Sequence, residues 1–139
     1  MVPFYWATAG EFKPYRLLIV DDSKLARMAA AKALNTLYPD WSRIEAANAD
    51  EALSLAKQTS FDVALLDFNM PGRDGLELAA ELLALHPSTP LALVSANHQE
   101  EIVSRARGIG AIFLAKPLNE QAFGAFLQDA VRRLEQGKA

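Results

Sequence analysis

Five short runs rich in apolar residues divide the chain: RLLIV at 16–20, SRIEA at 42–46, DVALL at 62–66, LALVS at 91–95 and AIFLA at 111–115. Three of them are almost wholly apolar and do not alternate, which suits strands covered on both faces of a parallel sheet. Between the runs the apolar residues recur at helical spacing. SKLARMAAAKALNTL places Leu25, Met28, Ala29, Ala33 and Leu37 on one stripe, with Ser23 able to cap the helix. Asn48 with Glu51, and Asp74 with Glu77, have the spacing of a capping box ahead of two further helices. A last helix over roughly 119–134 turns Phe123, Phe126, Leu127, Ala130 and Leu134 inward. The stretch 99–110 has fewer anchors, chiefly Ile102, Ala106 and Ile109, and reads as the least tightly packed helix. Strand and helix therefore alternate five times. That order predicts an α/β fold, a doubly wound parallel sheet with helices on both faces and right-handed crossovers.

At 139 residues the chain reads as one domain with a core of its own. The absence of cysteine excludes disulfides and thiolate metal sites and fits a reducing, cytoplasmic setting. Two histidines, His86 and His98, are too few for a His-rich metal cluster and read as surface residues. A net charge of -3 offers no basic patch for nucleic acid. No segment approaches the ~18–20 apolar residues that span a bilayer, and MVPFYWATAGEF lacks the basic start of a signal peptide.

Chemistry gathers at the strand ends. All strands of a parallel sheet point the same way, and open α/β sheets bind ligands beyond their C-terminal ends. Asp21 and Asp22 follow the first run, Asp67 the third and Lys116-Pro117 the fifth, while Ser95 closes the fourth. Crowded carboxylates repel unless a partner relieves them. A hard divalent cation does so, and oxygen donors with water suit Mg²⁺ better than zinc or copper. A carboxylate can also be the nucleophile in phosphoryl transfer, giving an aspartyl phosphate. Ser95 would then donate to a phosphoryl oxygen and Lys116 would pair with another. Taken one at a time, each residue has a plainer role: Asp21 and Asp22 could cap the first helix, Asp67 could be a turn residue, and Lys116 could be a structural ion pair. Together they fit one reaction.

IVDDSKLAR, LLDFNMPGRDG, LVSA and FLAKP resemble, in order and spacing, the signature motifs of response-regulator receiver domains, CheY-like modules of two-component signalling. The resemblance covers about residues 16–135 and implies the strand order 2-1-3-4-5. It implies that Asp67 is the phospho-acceptor. Asp22 and Asp67 would ligate Mg²⁺ directly with the backbone carbonyl of Asn69, and Asp21 would act largely through water. Ser95 and Lys116 would contact the phosphoryl group, Lys116–Pro117 would be a cis peptide, and Phe113 would be the switch aromatic. Signalling would pass through the surface of the fourth helix, fifth strand and fifth helix, around Gln99 to Arg107. Partners would be a histidine kinase or histidine phosphotransfer protein and a downstream protein target. Catalysis would be limited to self-phosphorylation and self-dephosphorylation. The chain departs from the commoner pattern in having Ser rather than Thr at position 95 and Phe rather than Tyr at position 113.

Two other functions share these residues. A phosphate-independent adaptor would keep the fold without the switch. An aspartyl-nucleophile phosphatase normally wants an acid two residues after the nucleophile, where this chain has Asn69. Residues 1–14 read as an N-terminal extension, either disordered or docked through Phe4, Tyr5 and Trp6 on this chain or on a second copy in a homodimer. Residues 15–135 read as the receiver domain and 136–139 as a polar tail.

Overall fold

The alternation folds as ten elements in strict order, in a computed structural model that describes residues 14–97 and 99–137. They are β1 (Arg16–Val20), α1 (Lys24–Leu37), β2 (Ser42–Ala46), α2 (Ala49–Gln58), β3 (Val63–Asp67), α3 (Gly75–Leu85), β4 (Leu91–Ser95), α4 (Glu100–Gly108), β5 (Ile112–Ala115) and α5 (Glu120–Gln136). All paired strands are parallel, in the order β2-β1-β3-β4-β5. The third run ends one residue later than its apolar pattern suggested. Asp67 belongs to the strand because it is in register with Val94, and the next N–H, of Phe68, continues the ladder to the Val94 carbonyl at 2.9 Å.

Every residue of β3 and β4 is buried, as continuous apolar runs require when helices cover both faces. Leu17 and Ile19 face a core built with α1 and α5, which includes Leu34, Phe123, Phe126 and Leu127. Leu18 and Val20 face the opposite core with α2 and α3, which includes Leu66, Leu78 and Leu82. Ile102 and Ala106 are the buried anchors of α4, and its N-cap residue Gln99 makes no capping bond. Trp41 stacks on Tyr38 just ahead of β2, with ring centroids 4.7 Å apart.

The inward stripe of α1 differs from the one expected. Ala30, Ala31 and Leu34 are buried, whereas Leu25 is 77% and Met28 55% exposed and Ala29 is exposed as well. Ala33 and Leu37 are half-buried. A helix with alanines at 26, 29, 30, 31 and 33 carries little contrast between its sides, so the two large residues drew the stripe off phase. Leu34→Ala should therefore cost about 2–4 kcal/mol, while Leu25→Ala stays within about 0.5 kcal/mol. Urea unfolding of the two variants checks this, and a larger loss at Leu25 would contradict the burial pattern.

The caps also separate. Asp74 and Glu77 form the complete reciprocal box. At α2, Asn48 accepts from the Glu51 N–H at 2.8 Å, but Glu51 Oε1 accepts from Ala47, one residue before the cap. His86 is the exposed C-cap of α3, with its ring edge-on to Phe61. His98 and residues 1–13, including Phe4, Tyr5 and Trp6, lie outside the described residues. No helix among the described residues is long and apolar enough to cross a membrane.

Candidate functional site

The sheet delivers its polar residues to one edge. Asp21 leaves the end of β1 with its N–H on the Ala46 carbonyl, 3.1 Å, and its Oδ1 accepts from the Ser23 N–H at 2.9 Å. It is 8% exposed, while Asp22 beside it is open to solvent. Asp67, the last residue of β3, is 3% exposed. One carboxylate oxygen from each of Asp21, Asp22 and Asp67 lies within 4.8 Å of the other two. Lys116 follows β5 and reaches back, its Nζ 2.9 Å from Asp67 Oδ1 and 3.6 Å from Asp21 Oδ2.

Ser95 closes β4, fully buried. Its carbonyl accepts from the Lys116 N–H at 3.0 Å, and its hydroxyl accepts from the Asn97 N–H at 2.9 Å. The register places it one residue beyond the partner of Asp67 on the adjacent strand. The Lys116–Pro117 peptide is cis. Asn69 is exposed, and its main-chain N–H lies near enough to the Asp67 carboxylate to favour the charged form. Phe113 is half-buried on β5, in register with Leu93. The structure thus gathers Asp21, Asp22, Asp67 and Lys116 into one cluster, with Ser95 and Asn69 along its rim and Phe113 further down β5.

Burial pushes the Asp67 carboxyl above the usual range. Its contact with Lys116 opposes that shift, and the nearby charge of Asp21 adds to it. For Lys116, desolvation alone would favour the neutral amine, but the contacts and charges of Asp67 and Asp21 together outweigh it and hold the ammonium above its ordinary value. The Lys116 contact is an ion pair off the hydrogen-bond direction, so Asp67 Oδ1 is buried without a hydrogen bond. A buried carboxylate oxygen left in that condition, beside two further acids, is a donor set that fits a hard divalent cation. Mg²⁺ fits better than a soft metal, because every side-chain ligand on offer is oxygen.

Two residues at this edge carry no signal of their role in the sequence. Gly75 opens α3 so close to β3 that a Cβ there would lie 2.2 Å from the Asp67 carbonyl oxygen. Arg73, in the loop between β3 and α3, bonds Asp50 of α2 at 2.7 Å and also Glu81 of α3. It straps the loop that carries Asn69 to two helices.

A family model for the response regulator receiver domain matches residues 17–128. Among curated proteins, the glycerol metabolism activator of Pseudomonas putida is 38% identical over 104 residues, spanning 73% of this chain and 47% of that protein. The transcriptional regulatory protein PdtaR of Mycobacterium tuberculosis is 33% identical over 124 residues, or 88% of this chain and 60% of that one. The chain spans about half the length of the curated relatives it matches. Among solved structures, chemotaxis protein CheY4 of Vibrio cholerae is 27% identical with a TM-score of 0.77, covering 85% of this chain and 99% of that one. A CheY-like receiver from Methanospirillum hungatei shares the fold at 24% identity, with a TM-score of 0.82 over 90% of this chain and 99% of its own.

Proposed function

The chain belongs to the response regulator receiver domain family of two-component signalling, and from that premise we propose that it takes a phosphoryl group from a histidine kinase or histidine phosphotransfer protein onto Asp67. The observation that carries this reading is the Asp67 carboxylate, buried at a strand end with one oxygen lacking a hydrogen bond and Lys116 Nζ 2.9 Å away. An Asp67 oxygen attacks phosphorus, the new O–P bond replaces the P–N bond of the donor, and the freed imidazole keeps the electron pair. The attacking carboxylate must be ionised. Lys116 favours that form against the burial that opposes it, and its ammonium can then pair with a phosphoryl oxygen. The Ser95 hydroxyl accepts from Asn97 and still has its own proton to donate to another phosphoryl oxygen.

Mg²⁺, held by Asp22, Asp67 and the Asn69 carbonyl with Asp21 acting through water, would neutralise charge on the phosphoryl oxygens. The signal would leave by a shift between two packings at the α4–β5–α5 surface, with Phe113 following Ser95. The sparse anchoring of α4, by Ile102 and Ala106, supports that placement. The protein would work in the cytoplasm on a downstream protein target.

Incubation with Mg²⁺ and acetyl phosphate should add one phosphoryl group, stable in acid and labile in base, detected by intact mass. No adduct from acetyl phosphate or from a phosphorylated histidine kinase core would favour the phosphate-independent adaptor instead. Lys116→Ala should slow adduct formation by about 10²-fold, the scale for losing one charge-stabilising donor at a reacting centre. A mass time course checks this, and a rate within twofold of wild type would remove Lys116 from the chemistry.

A further inference from the structure

Arg27 leaves α1 on its inward side, three residues before Ala30 and four before Ala31, and its side chain is only 17% exposed. A guanidinium so far out of water needs partners, because an unpaired buried charge is costly. It has two. Nη1 donates to the main-chain carbonyl of Asp21 at 2.7 Å, and Nε donates to Oε1 of Glu45 on β2 at 3.1 Å. Glu45 is itself steadied by Arg43, which donates to its other oxygen at 3.0 Å.

We infer that Arg27 is a positioning residue for the cation site, clamping the Asp21–Asp22 main chain so that both carboxylates stand beside Asp67. This rests on the receiver reading given above. The Asp21 amide is tied to Ala46 and its Oδ1 to Ser23, while its Oδ2 faces Lys116. The carbonyl is the remaining free end of that residue, and Arg27 holds it from a different element. Without a metal ion the three carboxylates have only the Lys116 ammonium to balance them, 2.9 Å from Asp67 and 3.6 Å from Asp21, and the exposed Asp22 is the one able to swing away. A planar fork fixed at both ends resists that relaxation, so the cation meets ligands already gathered. The clamp also occupies the Asp21 carbonyl, which leaves the main-chain oxygen of the proposed ligand set to Asn69.

The sign of the effect separates positioning from simple charge. Removing a positive side chain near a cation site, with nothing else altered, tightens cation binding. Removing a clamp weakens it. Arg27→Met should therefore raise the Mg²⁺ dissociation constant by about 10-fold, measured by calorimetry on the phosphate-free protein. At saturating Mg²⁺ its adduct rate with acetyl phosphate should return to within about twofold of wild type, an affinity-against-rate split that general destabilisation does not produce. Arg27→Lys keeps the charge but not the fork, and should fall between the two. Glu45→Gln, which loosens the far anchor, should weaken binding two- to threefold. A folded R27M that binds Mg²⁺ as tightly as wild type, or more tightly, overturns the inference. If R27M does not fold, unchanged affinity in both R27K and E45Q overturns it equally. Wild-type protein that neither binds Mg²⁺ nor forms the adduct would instead sink the receiver reading, whatever the variants do.

Discussion

Asp67→Asn should abolish the phosphoryl adduct and, in metal-free buffer at pH 7, raise the melting temperature by about 2–5 °C, the shift that roughly 1 kcal/mol produces in a domain of this size. The loss of the adduct follows from removing the proposed nucleophile. The gain in stability follows from the direction in which burial moves the carboxyl. Its folded value lies above the unfolded one, so folding favours the protonated acid. The stability this contributes is fully present below the unfolded value, near 3.9, and is lost as pH rises through the folded value. Above the folded value the protein holds an ionised carboxylate its surroundings do not fully support. Asparagine has almost the same shape and carries no charge to support. Lys116 loses its nearer partner in the variant but keeps Asp21, so the exchange still favours the amide. Differential scanning calorimetry from pH 3 to 8 should show the two melting curves drawing together towards acid, and Mg²⁺ should stabilise wild type while leaving the variant little changed. If D67N melts below wild type at pH 7 without Mg²⁺, Lys116 outweighs burial and the balance at this site is the reverse of that described.

The same tension explains why so much of the site could be read along the chain. An acid that ends a run such as VALL is a poor choice for packing alone, and three more strand ends carry Asp21-Asp22, Ser95 and Lys116. A parallel sheet brings all such ends to one edge, so strand order and direction were enough to collect the cluster without any knowledge of side-chain geometry. The sequence is silent where it carries no contrast or where the contact is made by main chain. The alanines of α1 left its phase open, and Leu25 and Met28 pointed it the wrong way. Nothing along the chain marks Arg27, because its two acceptors, the Asp21 carbonyl and Glu45, lie outside its own helix. Glu51 has capping-box spacing, yet its carboxylate reaches Ala47 instead, a difference of one residue that spacing cannot resolve.

Gly75 is the extreme case of a contact hidden in main chain, and substituting it should damage structure and chemistry together. A Cβ at Gly75 would lie 2.2 Å from the carbonyl oxygen of Asp67 and 2.9 Å from both the carbonyl carbon and Leu93 Cδ1. The first two neighbours are backbone of Asp67, the proposed phospho-acceptor, so no rotamer change relieves the overlap. Either α3 or the end of β3 has to move by the better part of an ångström. Movement of α3 is opposed by the Gly75 N–H bond to the Phe68 carbonyl, 2.9 Å, and by the complete Asp74–Glu77 box in the same turn. Gly75→Ala should therefore cost about 2–3 kcal/mol, the upper range for an overpacked core. Whatever movement remains falls on Asp67, and a displacement of ~1 Å at a reacting group lowers rates by about 10²-fold. Gly72→Ala provides the contrast. That glycine has a φ of 81° with nothing near its missing Cβ, so alanine there meets backbone strain of about 1–2 kcal/mol without touching β3. Acetyl phosphate labelling with thermal melts of both variants decides the matter. G72A should melt lower and still accept phosphate at close to the wild-type rate, whereas G75A should lose both. A G75A protein labelled as fast as wild type would mean that α3 can retreat without pulling on Asp67, and that the nearness of helix to strand is not what holds the acceptor in place.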